Sequence, residues 1–416
     1  MSDAERVLEQ LGAPAHVELV DERLELLRFG GSRVTYQHSE ERLTLRARLI
    51  RGGRSVWGTL ATTEPEAVRA LRERLERLAA SLPPGDPPPL AAPGEPRAAV
   101  TAHASTDEAD AADRIALLRD AQAAAPRGAT LGGSILHAVA THAVANTEGV
   151  RAEERRTRAA MQLVSTLDGD SSWGRVVSRD AGECRVPELD GHRLPQRELV
   201  PGRYRAVLSP QAVVTLLATL GQVAFADAGQ GTFADRVGEQ LLSPLVSIAD
   251  DGCDPAGLPS SFDCEGVPKQ RVQLVEDGVV RAVVTRGTGH AVPPAWRFGG
   301  GPAASHLSLE PGRANDADLL AACGSGLYLQ RVDYVRVVQP KRTLVTGSSR
   351  DGTFRVGSGR IVARVPQFRF TLRLDELFRD VLALGARRER GETVFMESVV
   401  APGLTVDGFP VDLIMS

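Results

Sequence analysis

The chain has 416 residues, 42% of them hydrophobic and 25% charged, with a formal net charge of −4. That is enough apolar sequence for two or three domain cores, and without a general basic surface a nucleic-acid partner has no compositional support. No run of about 18 apolar residues occurs and the first residues lack a basic-then-apolar leader, so neither a membrane span nor a signal peptide is expected and the protein is expected in the cytoplasm.

Residues 4–11 have the spacing of a short amphipathic helix, and strand-like segments follow at 16–20 and 23–29. Leu43, Leu45, Ala47 and Leu49 alternate with Thr44, Arg46 and Arg48, and Gly52-Gly53 turns the chain into 55–60, which predicts a half-buried hairpin. Thr63-x-x-Glu66 has the capping-box pattern, and Val68, Leu71, Leu75 and Leu78 mark one face of a helix to residue 80. Seven prolines between 83 and 96 cannot sustain a helix or a central strand. A second helix, capped around Ser105-Thr106, is predicted to residue 125, then strand-like sequence at 131–145, a charged helical or looped piece at 151–158, and a strand at 161–167.

A helix over 210–225 opens with Ser209 as cap and Pro210 in its first turn, and Val213, Val214, Leu216, Leu217 and Leu220 give it a buried face. Strands dominate from 203 onward. Residues 272–275 and 279–285 flank Asp277-Gly278, a two-residue turn that supplies positive φ angles. Further strands are predicted at 245–249, 334–338, 342–346, 360–365, 393–398 and 403–406, and a late helix at 375–384 ending at Gly385. The fold class predicted is α+β: N-terminal strands with two longer helices, followed by a β-rich, barrel-like C-terminal domain. The boundaries fall at 1–82 for an N-terminal α+β domain, 83–100 for a Pro-rich linker or loop, 101–195 for a central α+β segment packing with the N-terminal domain, and 196–416 for the β-rich domain.

Motif chemistry is mostly excluded. The only lysines, Lys269 and Lys341, both follow proline, so no P-loop, Ser-x-x-Lys or kinase lysine exists. No serine lies in Gly-x-Ser-x-Gly, and Gly299-Gly300-Gly301-Pro302 does not lead from a strand into a helix. None of the eight histidines precedes a glutamate, which removes a zincin helix. His137 and His142, five apart, point to opposite faces of a strand and so read as strand residues rather than a metal pair. Cys184, Cys253, Cys264 and Cys323 are far apart and read as reduced thiols. The acidic residues Asp250, Asp251, Asp254, Asp263 and Glu265 lack the spacing of a calcium loop, which favours turn formation over cation binding. Cys264 with Glu265 and His290 has the residue types of a thiol nucleophile and base, against the plainer reading of a loop cysteine and a structural histidine.

Several elements come in a telling order: Asn146-Thr147-Glu148-Gly149-Val150, Gly238-Glu239-Gln240, Ile248-Ala249-Asp250-Asp251, Phe262-Asp263-Cys264-Glu265-Gly266-Val267-Pro268, Leu274 to Val279, Thr288-Gly289-His290-Ala291, Leu309-Glu310-Pro311-Gly312, and Ala401 to Val406. Together they resemble the TldD/PmbA family. The resemblance implies a pair of cytoplasmic proteins forming a zinc peptidase that acts on unstructured peptides, with the metal on a His-Glu-x-x-x-His helix of the TldD-type subunit. The matching helix here reads Leu216-Leu217-Ala218-Thr219-Leu220-Gly221-Gln222, without histidine, so the chain resembles the TldE (PmbA) type. It therefore implies no catalytic or metal-binding residue in this chain, zinc in a TldD-like partner, and a heterodimer that takes an extended peptide. Asp250, Asp251, Asp263, Cys264, Glu265, Thr288 and His290 are the candidates for lining a peptide chamber or facing the partner; tight turns are the structural alternative for each. Cys264 departs from the family pattern, where an acidic or polar residue is usual. Two other readings stay open: a stand-alone amide- or peptide-processing enzyme using Cys264, Glu265 or His290, and a homodimeric peptide-binding scaffold.

Overall fold

The computed structural model describes residues 2–12, 14–187, 194–227, 231–293, 301–393 and 396–415. Its N-terminal half consists of α1 (Asp3–Leu11), β1 (Ala15–Gly30), β2 (Arg33–Arg51), β3 (Arg54–Leu60), α2 (Pro65–Ser81), α3 (Ala104–Asp107), α4 (Ala111–Ala124), β4 (Thr130–Asn146), β5 (Arg151–Leu167) and β6 (Asp170–Ser178). These six strands form one antiparallel sheet in the order β3-β2-β1-β4-β5-β6, so sequence on both sides of the Pro-rich stretch enters a single layer. Leu45, Ala47 and Leu49 are buried with Val68, Leu71 and Leu75 of α2, as the alternation and the helical spacing require.

Local details differ from expectation. The capping box at Thr63 does not form: Glu64 is the N-cap without a side-chain bond, and Pro65, with its preset φ, starts α2. The predicted 105–125 helix is two pieces, the second capped by Asp110. Residues 151–158 belong to strand β5, because their charges find partners on neighbouring segments, as with Arg158 and Glu392 at 3.2 Å. Residues 83–100 carry no regular element, yet they are tied down: the Pro88 carbonyl accepts from Arg48 and the Ala91 carbonyl from Asn146 Nδ2 at 2.8 Å, both on the first sheet, and Arg97 reaches the other half to pair with Asp251 at 3.0 Å.

The C-terminal half adds β7 (Gly202–Leu208), α5 (Pro210–Ala224), β8 (Ile248–Asp250), β9 (Val272–Glu276), β10 (Val279–Val280), β11 (Ala291–Val292), β12 (Gly301–Pro302), β13 (His306–Leu309), α6 (Asp316–Cys323), β14 (Gly326–Gln339), β15 (Leu344–Gly357), β16 (Arg360–Arg364), β17 (Phe368–Arg373), α7 (Leu374–Arg379), β18 (Val381–Thr393), β19 (Met396–Val411) and β20 (Leu413–Ile414). Its main sheet runs β10-β9-β8-β13-β19-β7-β14-β15-β17-β20, with β16 on β15 and β18 on β19. Among the described residues β10 and β20 do not pair with each other, so the sheet is open; this corrects the barrel-like expectation within an α+β fold. The late helix also stops early, at Arg379. From Val381 the chain is a strand paired with Val406, where β-branched residues suit a pleated, half-buried surface.

Helix α5 lies on β14, β18 and β19. Ser209 Oγ accepts from the Ala212 amide at 3.2 Å, and the helix buries Val213, Val214, Leu216, Leu217 and Leu220 in the main core. The acidic loop that follows reaches back to the first sheet, where Phe262 packs with Val144 and Val150 and stacks on His142 at 5.1 Å between ring centres. Among the described residues no helix is long and apolar enough to cross a membrane.

Candidate functional site

Between the six-stranded sheet and the C-terminal half lies a cleft of about 380 Å³. β1 supplies Glu18 to its lining, β4 His142, β5 Arg156, and the residue after β6 is Arg179; the other wall brings Asp263 and Cys264, Thr393, Met396 and Glu397. Glu18 stands between Val17 and Leu19 in a strand that is otherwise apolar here, and it is 3% exposed. Such a carboxylate must be paired. Arg46, directly opposite it on β2, reaches its Oε2 at 2.7 Å, and His142, diagonal to it on β4, reaches Oε1 at 3.0 Å. Burial opposes ionisation of Glu18, but these partners outweigh it and hold the carboxyl below its ordinary range.

A carboxylate only accepts, so His142 Nε2 carries the hydrogen of that bond, while Nδ1 is buried without a hydrogen-bond partner. Other charges along the cleft pair off: Arg42 with Glu22 at 2.6 Å, Arg158 with Glu392 at 3.2 Å, and Arg156 with Glu397 at 3.5 Å. Burial opposes ionisation of Glu397 too, yet Arg156, His306 and Lys269 hold it at about 2. Behind Glu397 a string of buried polar groups leads away from the cleft. His306 Nε2 lies 3.5 Å from Glu397, Ser305 Oγ meets His306 Nδ1 at 2.9 Å, and Lys269 Nζ donates to Ser305 Oγ at 2.8 Å. Burial, helped by Lys269, keeps His306 neutral by lowering it to about 3.

The expected residues fall into two groups. Asp250 and His290, both fully buried, meet at 3.0 Å, and Thr288 Oγ1 holds the other ring nitrogen at 2.9 Å. Asp250 also accepts from the amides of Ser305 and His306, at 2.7 and 3.2 Å. Burial works against its charge, but the contact with His290 and the nearby Lys269 keep the carboxyl well below the usual range. This group stands behind the polar string rather than in the wall of the cleft. Asp251 accepts from the Cys253 amide at 3.0 Å besides its Arg97 pair. Asp263 takes the amides of Glu265, Val267 and Ala291 at 2.9, 3.0 and 2.8 Å, which knits the loop. Asp263 and Cys264 line the cleft, whereas Cys264 and Glu265 line a second cavity of about 530 Å³ with Arg48, Trp57 and Arg286, the last paired with Glu265.

The surroundings of Cys264 disfavour its thiolate form. Burial first, then Glu18, Asp263 and Glu265, push its thiol well above the ordinary value, and a neutral thiol does not attack. Among the described residues no hydrogen bond joins it to His290, whose ring nitrogens are both engaged. Glu18, Arg156, Arg179 and Glu397 escaped sequence reasoning, and His142 was read as an ordinary strand residue, because the five come from separate segments. A charged residue interrupting an apolar strand, as Glu18 does, was the available signal.

Comparison with known proteins agrees with this architecture. A family model described as the PmbA/TldA metallopeptidase C-terminal domain matches residues 201–412, and one for the central domain matches 105–188. A Methanothermobacter thermautotrophicus protein named a metalloprotease is 23% identical over 376 residues, covering 82% of this chain and 81% of that protein. The Escherichia coli O157:H7 metalloprotease PmbA is 24% identical over 308 residues, covering 67% and 65%. An uncharacterised Methanocaldococcus jannaschii protein is 28% identical over 160 residues, 36% of this chain and 38% of its own length. In structure, TldE from Thermococcus kodakarensis superposes with a TM-score of 0.84 at 17% identity, over 99% of this chain and 100% of that one. Two family models matched in chain order, over folds that superpose along their whole length, leave one conclusion: the chain belongs to the TldD/PmbA family.

Proposed function

We propose that this chain is the non-catalytic, TldE-like subunit of a heterodimeric, cytoplasmic metallopeptidase that acts on unfolded peptides, with the zinc ion held by a TldD-like partner. The observation that carries this reading is the chemistry of α5. Eleven of its fifteen residues are buried, none of those eleven is charged, and none of the fifteen is a histidine. Gly221 is closed over by Leu307 and by Met396, which itself lines the cleft. A zinc ion needs nitrogen, thiolate or carboxylate donors converging on it, and this helix offers packing instead; the residues present do not fit the metal. Among the described residues no group of three or more His, Cys, Asp or Glu side chains is placed to hold an ion.

The cleft supports the peptide part of the reading. Most of the charged groups that wall it are already paired within the protein, so an extended chain can lie there with little demand on the charge of its side chains. Co-expression with a TldD-like protein tests the proposal. A stable complex with one zinc per heterodimer, cleaving an unfolded peptide that neither this chain alone nor its zinc-treated form cleaves, is the expected result. Tight zinc binding and peptide cleavage by the isolated chain would overturn it, and a homodimer indifferent to the partner in light scattering would favour a scaffold.

A further inference from the structure

We propose that the cleft contains a subsite for a free carboxylate of an extended peptide, anchored by Arg179. The inference rests on the peptide-binding reading above and goes beyond it by naming what the cleft selects. Every other guanidinium in the lining has a carboxylate: Arg42 has Glu22, Arg46 has Glu18, Arg156 has Glu397 and Arg158 has Glu392. Among the described residues Arg179 has none. Its amino nitrogens donate to neutral carbonyls, Thr157 at 2.8 Å, Leu258 at 3.1 Å and Pro259 at 2.6 Å, and these fix the fork in place. Its Nε hydrogen has no partner although the atom is buried.

A guanidinium fixed by carbonyls keeps its full charge while losing water, and burial lowers Arg179 to about 10. An arriving carboxylate relieves that cost and makes a charge-assisted bond at Nε. Two more residues of the lining carry a buried atom without a hydrogen-bond partner: Thr393 at Oγ1, a hydroxyl able to donate, and His142 at Nδ1. Arg179 Nε and Thr393 Oγ1 both call for an accepting oxygen, and a carboxylate supplies two. Asp263, the remaining carboxylate of the lining, does not compete for Arg179, because three backbone amides already occupy it. The terminal residue of a peptide, or an internal Asp or Glu, has this chemistry.

Fluorescence anisotropy with three dye-labelled peptides tests the subsite on the full chain: penta-alanine as the free acid, its C-terminal amide, and the amide with a central Glu. The free acid or the Glu peptide is expected to bind about ten- to a hundredfold more tightly than the neutral amide. Which of the two gains identifies the end or the side chain as the source. Arg179→Met is expected to erase the gain and leave the neutral peptide unchanged, with Thr393→Val reducing it partly should the first variant fold poorly. Equal affinity for all three peptides in the unmodified chain would overturn the subsite while sparing the peptide-binding reading. Binding of none of them, with or without a TldD-like partner, would overturn both.

Discussion

Met396 stands against Gly221 so closely that a β-carbon on the glycine would meet the methionine Cε at 2.7 Å, with Leu307 Cδ1 at 2.6 Å on the same side. The Gly221 face of α5 is thus in contact with side chains of the sheet. Gly221→Ala gains helix propensity of about 1 kcal/mol, but overpacking costs about 1–3 kcal/mol, so a net loss is expected. Met396→Ala in the same chain opens the space, and the two changes are expected to be less than additive in a thermal-shift double-mutant cycle. Strict additivity would show that the contact does not constrain α5.

Acid should loosen the molecule in two stages. His306, ordinarily near 6.5 and held at about 3, is neutral in the folded protein while the unfolded chain takes up a proton, so stability is complete above pH 6.5 and falls below it. Glu397, ordinarily near 4.5 and held at about 2, adds a second loss as pH drops through 4.5 towards 2. Thermal midpoints measured from pH 8 to pH 3 should therefore decline from about 6.5 downward. Glu397→Gln should flatten the lower part of that decline; an unchanged slope would remove Glu397 as its cause.

The four cysteines, all buried, are expected to resist alkylation in the native state. Burial pushes Cys184 up to about 12 and Cys264 well above its ordinary value, so the reactive thiolate is scarce at both. Intact mass after iodoacetamide at pH 8 should show no adducts before denaturation and four after it.

Gly266 joins the acidic loop to the first sheet. Its φ of +79° is a left-handed conformation, and an added Cβ would meet Val150 Cγ1 at 2.4 Å. Gly266→Ala is expected to destabilise by about 1–3 kcal/mol and to open the seam beside Phe262, read as faster protease cleavage in the loop. Wild-type resistance to cleavage would argue that the seam repacks freely.

What could be read from residues alone was what is local. Helix α5 announced itself through Ser209, Pro210 and its apolar face, and Asp277-Gly278 fixed its hairpin through backbone geometry. The alternation in β2 was legible because one face of that strand is buried against helices. The second half of β5 was predicted at 161–167, but residues 151–158 were not, since the face carrying Arg156 and Arg158 meets charges rather than water or core, and no period of two in the sequence survives that. The cleft was the least legible part. Glu18 and His142 are 124 residues apart and meet only because β1 pairs with β4. Spacing arguments see His137 and His142 together, whereas the strand places the first on the opposite face and gives the second to Glu18.

The open sheet of the C-terminal half depends on one strand for its continuity. β19 holds β18 along one edge and shares the other between β13 and β7, so it is the sole strand connecting the β10-β9-β8-β13 part to the β7-β14-β15-β17 part among the described residues. Every strand it pairs with precedes it in the chain. During synthesis the two half-sheets therefore carry unpaired edges until residues 396–411 arrive to join them. A chain interrupted before that point is left not with a smaller working domain but with two sticky fragments, which makes completeness of translation a condition for solubility.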